Sequence, residues 1–385
     1  MNEIFKRIDA INWENLEHAY GSAADVPQDL KHLFGTDKEV AKSAIHNFWG
    51  NIYHQGTIYE ATSYAIPFLI EALNYCPKPT KSSIIVLLAH ISNGMSYNIQ
   101  HQDLWEEGGT FDDGRTKTQA YKKETKRQLH WVERGVLAVW DGWDNYLQLL
   151  EDEDDEVRSD ICLLLSSLVS SNHKPSSAPK KSSELLFDRF QNRLSIEVDD
   201  NIKVSLLNGI ASIDVEKTKK IAVLKYYIGE PSGILKITAA YYLLEHEIDE
   251  KAIEVLNNAL YQAEITNQLF SESVWFQTKM SFYILPQLCN LSLDYFDQIW
   301  ESLDLTIRNT FKFGAQYTVS PIIKMVFKGK RIDEIAPNFT IAQKKVLTTI
   351  LETDNLWIET DGNTSVAFKD WGLERNRALL KKLLE

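Results

Sequence analysis

A spaced recurrence constrains this chain more than any other feature. Asp154-Asp155-Glu156-Val157-Arg158 is followed by Ile161, Leu164, Leu165 and Leu168. Asp200-Asn201-Ile202-Lys203 is followed by Leu206, Leu207 and Ile210. In both, an acid stands where a helix begins, an aliphatic residue enters in the first turn, and a base follows. Apolar residues then recur every three or four positions, which places them on one helical stripe. Val157 and Ile202 are 45 positions apart, inside the roughly 40–47-residue period of two-helix repeats. A copy at shorter spacing is Gly233-Ile234-Leu235-Lys236 with Ala239, Ala240, Leu243 and Leu244. One such helix cannot bury its stripe alone, so a chain that repeats it must stack helices on one another.

Helical patterning extends to both sides. Val40, Ala44, Ile45, Phe48 and Ile52 share a stripe, and Thr36-Asp37-Lys38-Glu39 before them reads as a capping box. Gly35 ends a short helix opened at Pro27. Thr57-Ile58-Tyr59-Glu60 reads as a second box, opening a helix to about Tyr75 that Pro67 should kink. Residues 93–116 are polar and glycine-bearing and read as an insertion or long loop. Helix resumes near Lys117, turns at Asp141-Gly142 and restarts at Trp143. The stretch Asn172 to Lys181, rich in Ser, Pro and Lys, reads as an exposed loop between helices. Helical patterns continue through 249–265, 272–290, 293–312, 316–328 and 338–352. Leu356 to Thr360, then Asp361-Gly362, then Ser365 to Phe368 reads as a small β-hairpin near the C-terminus.

The expected fold is all-α, an irregular right-handed α-solenoid of helical hairpins spanning 1–385. It has N-terminal hairpins over 1–92, the insertion at 93–116, regular repeats over 117–250, and C-terminal hairpins over 251–385 with the β-hairpin at 356–368. A chain of 385 residues exceeds the size at which one compact core stops growing, roughly 250–300 residues, and an extended array accommodates that length.

Charge narrows the partners. The formal net charge is −13, which repels a phosphate backbone, disfavours nucleic acid and attracts a basic protein. The three cysteines, Cys76, Cys162 and Cys289, show no metal-ligand or C-x-x-C spacing. A reduced, cytoplasmic setting is the expectation. The N-terminus lacks an apolar signal core, and the longest apolar stretches, such as Ile84 to Ala89, are too short to span a bilayer. No membrane association is expected.

Catalytic signatures are missing: no G-x-S-x-G, no G-x-x-x-x-G-K-[ST], no G-x-G-x-x-G and no H-E-x-x-H. No catalytic residue, metal or cofactor is assigned. The best candidates for partner contact lie in the irregular parts of the chain. They are His54 and Tyr59; Trp105, Phe111, Asp112 and Asp113 of the insertion; Trp143; and Glu151, Asp152, Glu153 and Asp155 of the run Glu151 to Glu156. Acids in that run also suit a helix N-terminus, where they favour the positive end of the dipole. His18 and His54 invite an acid–base reading, against which stands a plainer one in which they tie loops together. Lys117, Lys122, Lys123, Lys126 and Arg127 form a local basic stretch, diluted by Glu124.

Two motifs carry a resemblance. His18-Ala19-Tyr20-Gly21-Ser22-Ala23 precedes Asp25-Val26-Pro27, and His54-Gln55-Gly56-Thr57-Ile58-Tyr59-Glu60-Ala61-Thr62 precedes Ala65, Pro67, Phe68 and Leu69. With Val136-Leu137-Ala138-Val139, Gly142 and Asp154 to Arg158, they resemble a group of bacterial HEAT-repeat-domain proteins over about residues 13–170. Some bacterial HEAT-like proteins of this size are immunity proteins for secreted toxins. The resemblance therefore implies a protein that binds and neutralises a toxin domain, and the net charge makes a basic domain the expectation. A HEAT-scaffold enzyme of the base-excision or bilin-lyase kind, or a general assembly scaffold, are the alternatives it leaves open.

Overall fold

The computed structural model describes residues 1–102 and 119–385, apart from 172, 272, 277, 312, 359–362 and 374. The described chain is all-α with two tiny hairpins, and it divides into two compact units, Met1–Glu216 and Lys217–Glu385.

In the first unit the helices are α1 (Asn2–Asp9), α2 (Val26–His32), α3 (Lys38–Gly50), α4 (Glu60–Ala72), α5 (Lys78–Ser92), α6 (Tyr97–Gln100), α7 (Gln119–Trp140), α8 (Trp143–Leu149), α9 (Asp155–Ser170), α10 (Ser182–Ile196) and α11 (Asp200–Ser212). The hairpins pair β1 (Glu17–His18) with β2 (Gly21–Ser22) and β3 (Tyr53–His54) with β4 (Thr57–Ile58). Helices α3, α5, α9 and α11 pack in that order into one row, while α2, α4 and α7 form a second. The closest packing joins α5 to α9. Ile84, Ile85, Leu87 and Leu88 of α5 and Ile161, Cys162, Leu164, Leu165 and Leu168 of α9 are wholly buried. Burial of each large aliphatic side chain contributes about 1.5–3 kcal/mol before chain entropy is counted.

The second unit contains α12 (Lys217–Tyr227), α13 (Gly233–Leu244), α14 (Glu250–Tyr261), α15 (Ala263–Leu269), α16 (Met280–Cys289), α17 (Phe296–Arg308), α18 (Ala315–Thr318), α19 (Ser320–Phe327), α20 (Ile332–Ile335), α21 (Ile341–Glu352), α22 (Asn363–Asp370) and α23 (Arg377–Leu384). Again there are two rows. One is α14, α17, α21 and α23; the other is α13, α16 and the α18–α19 pair, with α22 on α18.

The 45-residue period runs further than the sequence alone suggests. Helices α9 and α11 begin at 155 and 200, and α14, α17 and α21 begin at 250, 296 and 341. Polar contacts repeat with it. The Ser159 and Ser205 hydroxyls are 2.7 Å apart. Tyr295 donates to Glu250 at 3.1 Å, Ser302 to the Asn257 carbonyl at 3.0 Å, Thr349 to Asp304 at 2.6 Å, and Asn355 to the Thr310 carbonyl at 3.3 Å. The copy at Gly233 has an odd spacing because α13 lies in the other row, packed against α14.

Caps explain where the helices start. Asp154, Asp199 and Asp249 each accept from backbone amides of α9, α11 and α14. Replacing Asp199 with alanine leaves those amides of α11 unpaired, and urea unfolding should show a loss of about 0.5–2 kcal/mol. At α3 the cap is Asp37, which accepts from Glu39 and Val40, rather than Thr36. The second expected box also shifts. Helix α4 starts at Glu60, where the Thr62 hydroxyl accepts from the Tyr59 amide at 2.9 Å. Thr57 lies in β4 instead.

The expected β-hairpin at 356–368 is corrected. Residues 359–362 lie outside the described residues, but Ser365 to Phe368 fall inside helix α22. Thr364, Ala367, Phe368 and Trp371 are the buried positions there, a three-and-four spacing that suits a helix and not a strand.

Candidate partner-binding surface

The two motifs that read alike in sequence come together in the first unit. The Gln55-Gly56 turn, with φ of 48° and 90°, takes positive φ at both central positions, as a type I′ two-residue hairpin turn requires. Gly56 carries no Cβ to oppose that backbone. Glu17 pairs with Ser22 in the first hairpin and Tyr53 with Ile58 in the second. The Ala19 amide donates to the Asn51 carbonyl at 3.0 Å, joining the first hairpin to the end of α3. The loop after α5 then adds to the second hairpin. Met95 donates to the Gly56 carbonyl at 2.8 Å and accepts from the Ile58 amide at 3.1 Å.

His18 is buried, and both ring nitrogens are used. Nε2 lies 3.0 Å from Asp25 Oδ1, and Nδ1 accepts the Tyr20 amide at 3.0 Å. Accepting at Nδ1 leaves the proton on Nε2, where it is donated to Asp25. The side chain ties β1 to the start of α2 and has no nitrogen left over for a ligand.

Around it the aromatic residues are half-buried, apart from Tyr20. Tyr20 is 72% exposed and packs edge-on to His54, with ring centres 5.5 Å apart. Tyr59 is half-buried, and its hydroxyl sits 2.7 Å from the Thr57 hydroxyl. Burial pushes the Tyr59 phenol up, with Thr57 opposing and the neighbouring Tyr97 and Tyr20 adding to the rise. Tyr97 and His101 pair at 4.4 Å between ring centres. Met95 and Ile99, both substantially exposed, extend the apolar surface. On the opposite side of β3, Tyr53, Trp49 and His90 pack edge to face, at 5.0–5.8 Å. Burial pushes the His90 imidazole down, away from the charged form. Of the residues expected at this end, His54 and Tyr59 share the surface. Tyr20, Met95, Tyr97 and Ile99 join it, and no local pattern marks them as contact residues, since only pairing of the distant 95–101 segment with β4 brings most of them there.

The acidic turn is arranged differently. Glu151 pairs with Arg193 at 2.8 Å, Asp152 with Lys81 at 2.9 Å, Asp154 with Lys78 at 3.2 Å, and Asp155 with Arg158. Burial raises the Asp152 carboxyl, but the Asp154 amide and Lys81 outweigh it and hold the acid below its ordinary range. Glu153 is exposed. Four of the six acids are thus paired within the unit, by bases from α5, α9 and α10. Trp143 is buried and stacks on Trp140 at 5.1 Å. Gly142 beside it has Tyr146 where a Cβ would stand. Trp105, Phe111, Asp112 and Asp113 lie outside the described residues. The basic stretch on α7 is partly paired, Arg127 bonding Glu124 at 2.9 Å and Glu17 at 3.0 Å.

Among the described residues, no cluster of three or more His, Cys, Asp or Glu side chains is placed to hold a metal ion. Nor is any described helix long and apolar enough to cross a membrane. No family model matches the chain, and no curated protein matches it. Among solved structures, an engineered protein determined by a structural genomics consortium is similar at 12% identity, over 90% of this chain and 98% of its own. Its TM-score of 0.31 is too low to carry an argument.

Proposed function

We propose that the chain is a HEAT-like protein-binding module of the immunity type, which holds a basic toxin domain against the hairpin surface of its first unit. The observation that carries this reading is the coincidence of a partly exposed aromatic surface with the chain's charge. The first unit has 21 Lys and Arg against 33 Asp and Glu, a net of −12, whereas the second has 20 against 21, a net of −1. Tyrosine and other aromatics give much contact area at small entropic cost, so they anchor interfaces. The net negative charge of the first unit attracts a positive partner toward it. The resemblance of the His18 and His54 motifs to bacterial HEAT-repeat proteins supports the same reading. So does the absence of a catalytic motif in the sequence.

The test is affinity capture with the tagged chain from its native cell, identification of the partner by mass spectrometry, and calorimetry on the purified pair. One-to-one binding is expected, weakening by tenfold or more between about 0.05 and 0.5 M salt as the field is screened. The Tyr20→Ala, His54→Ala double variant should lose about 2 kcal/mol of binding with its thermal midpoint intact. Recovery of no stoichiometric partner, or affinity indifferent to both salt and the double variant, would refute the proposal.

A further inference from the structure

A second surface lies in the other unit and differs in chemistry. A groove of about 600 Å³ opens between α14, α15, α16 and the end of α17. Tyr261, Ile265 and Phe311 line it and are each roughly half exposed, at 52%, 59% and 47%. Phe282 forms part of its wall and stacks on the exposed Tyr317 at 5.9 Å. Apolar surface gathered in one place, unlike scattered single residues, marks a contact face. Among the described residues, the groove's lining contains one acid, Glu264, and one base, Lys279. Among the described residues neither has an ion-pair partner.

We propose that this groove seats a second copy of the chain. The two copies meet about a two-fold axis, with Glu264 of each opposite Lys279 of the other. Charge argues for this occupant. Two copies of a chain with net charge −13 repel each other over most of their surface. They can approach where acids and bases balance, and the second unit, with a net of −1, offers that. A two-fold contact must be self-complementary: whatever residue one copy presents, the other receives at the matching place. A groove with one unpaired acid and one unpaired base meets that condition twice, once for each copy. This inference goes beyond the partner reading, since it concerns the other unit and a different force. Apolar contact persists at high salt, whereas capture of a basic partner does not.

Sedimentation equilibrium of the full chain, from about 1 to 200 µM, tests it. A monomer–dimer equilibrium in the micromolar range is expected, little changed at about 0.5 M salt. Ile265→Glu should weaken dimerisation at least about tenfold. Glu264→Lys and Lys279→Glu should each weaken it about tenfold, and the double exchange should restore it to within about threefold. Thermal melts establish that each variant is folded; should Ile265→Glu melt early, Tyr261→Glu is read in its place. A chain monomeric at every concentration overturns the proposal. So does a dimer that ignores the apolar variants, or single exchanges that the double exchange does not rescue.

Discussion

Glu197→Ala should destabilise the first unit by about 3–5 kcal/mol, because it removes a buried carboxylate on which two guanidinium groups converge. The Glu197 side chain is almost wholly buried, with 1% of its surface exposed. Arg193 reaches it with Nη2 at 2.6 Å and Nε at 3.2 Å, and Arg158 with Nε at 3.1 Å. The amides of Val198 and Asp199 donate to its other oxygen at 2.9 and 3.2 Å. Arg193 goes on to Glu151, and Arg158 to the Asp152 carbonyl at 2.8 Å. One carboxylate therefore binds α9, the end of α10, the α10–α11 turn and the acidic turn together. Burial raises this carboxyl, but the donors outweigh it and bring it down to about 2. A depressed acid stabilises the fold above its unfolded value near 4.5 and loses that contribution as pH falls toward 2. Urea titration at pH 7 measures the loss in Glu197→Ala. A cost under about 1 kcal/mol would mean that water, and not the network, satisfies the arginines. Glu197→Gln is the gentler probe. It preserves shape and removes charge, so most of the loss should remain.

The opposite pH behaviour is expected from Asp160. This carboxyl is buried on α9 against α5, where the Ser82 hydroxyl donates to it. Burial pushes it up to about 7, with Ser82 opposing and the acids Glu156 and Asp154 adding to the rise. In the unfolded chain the same group titrates near 3.8. Between those values the unfolded state releases a proton that the folded state keeps. Stability therefore falls as pH rises from about 4 to 7 and levels off above. At about 1.4 kcal/mol for each pH unit across that window, the fall amounts to about 4 kcal/mol. Asp160→Asn, which stays neutral, should be more stable than the native chain at pH 8 by an amount of that order. Near pH 4 the two should differ little. Unfolding free energies of both proteins across pH 4–8 give the comparison, and parallel curves would show that the buried carboxyl does not hold its proton.

These two sites also show what sequence can convey. The rows of helices are legible because apolar spacing and capping acids are local, so Val157, Ile161, Leu164 and Leu168 announce α9 by themselves. The C-terminal repeats are harder to see. Asp154, Asp199 and Asp249 open their helices with an aspartate, but α21 opens with Thr340, whose hydroxyl accepts from Gln343. At 356–368 a short stretch reads with period two, while Thr364, Ala367, Phe368 and Trp371 repeat at helical spacing. The acidic run shows a different limit. Six acids in a row look like a surface for a basic partner, yet Lys78, Lys81 and Arg193, which answer several of them, are distant in sequence. Likewise, His54 and Tyr59 are prominent in the sequence, while Met95 and Tyr97 reach them only through pairing with β4.

The 45-residue spacing of the ties between helices has a kinetic consequence. Tyr295 to Glu250, Ser302 to Asn257 and Thr349 to Asp304 each close a loop of one repeat, and none of the three closes a longer one. The entropy lost in closing a loop rises with its length, so each of these closures costs less than one that joined distant ends. Within the second unit, structure can therefore nucleate at any hairpin and spread to its neighbours, each helix pair templating the next. Loss of structure should run the same way in reverse, fraying inward from the terminal helices while the interior rows still hold.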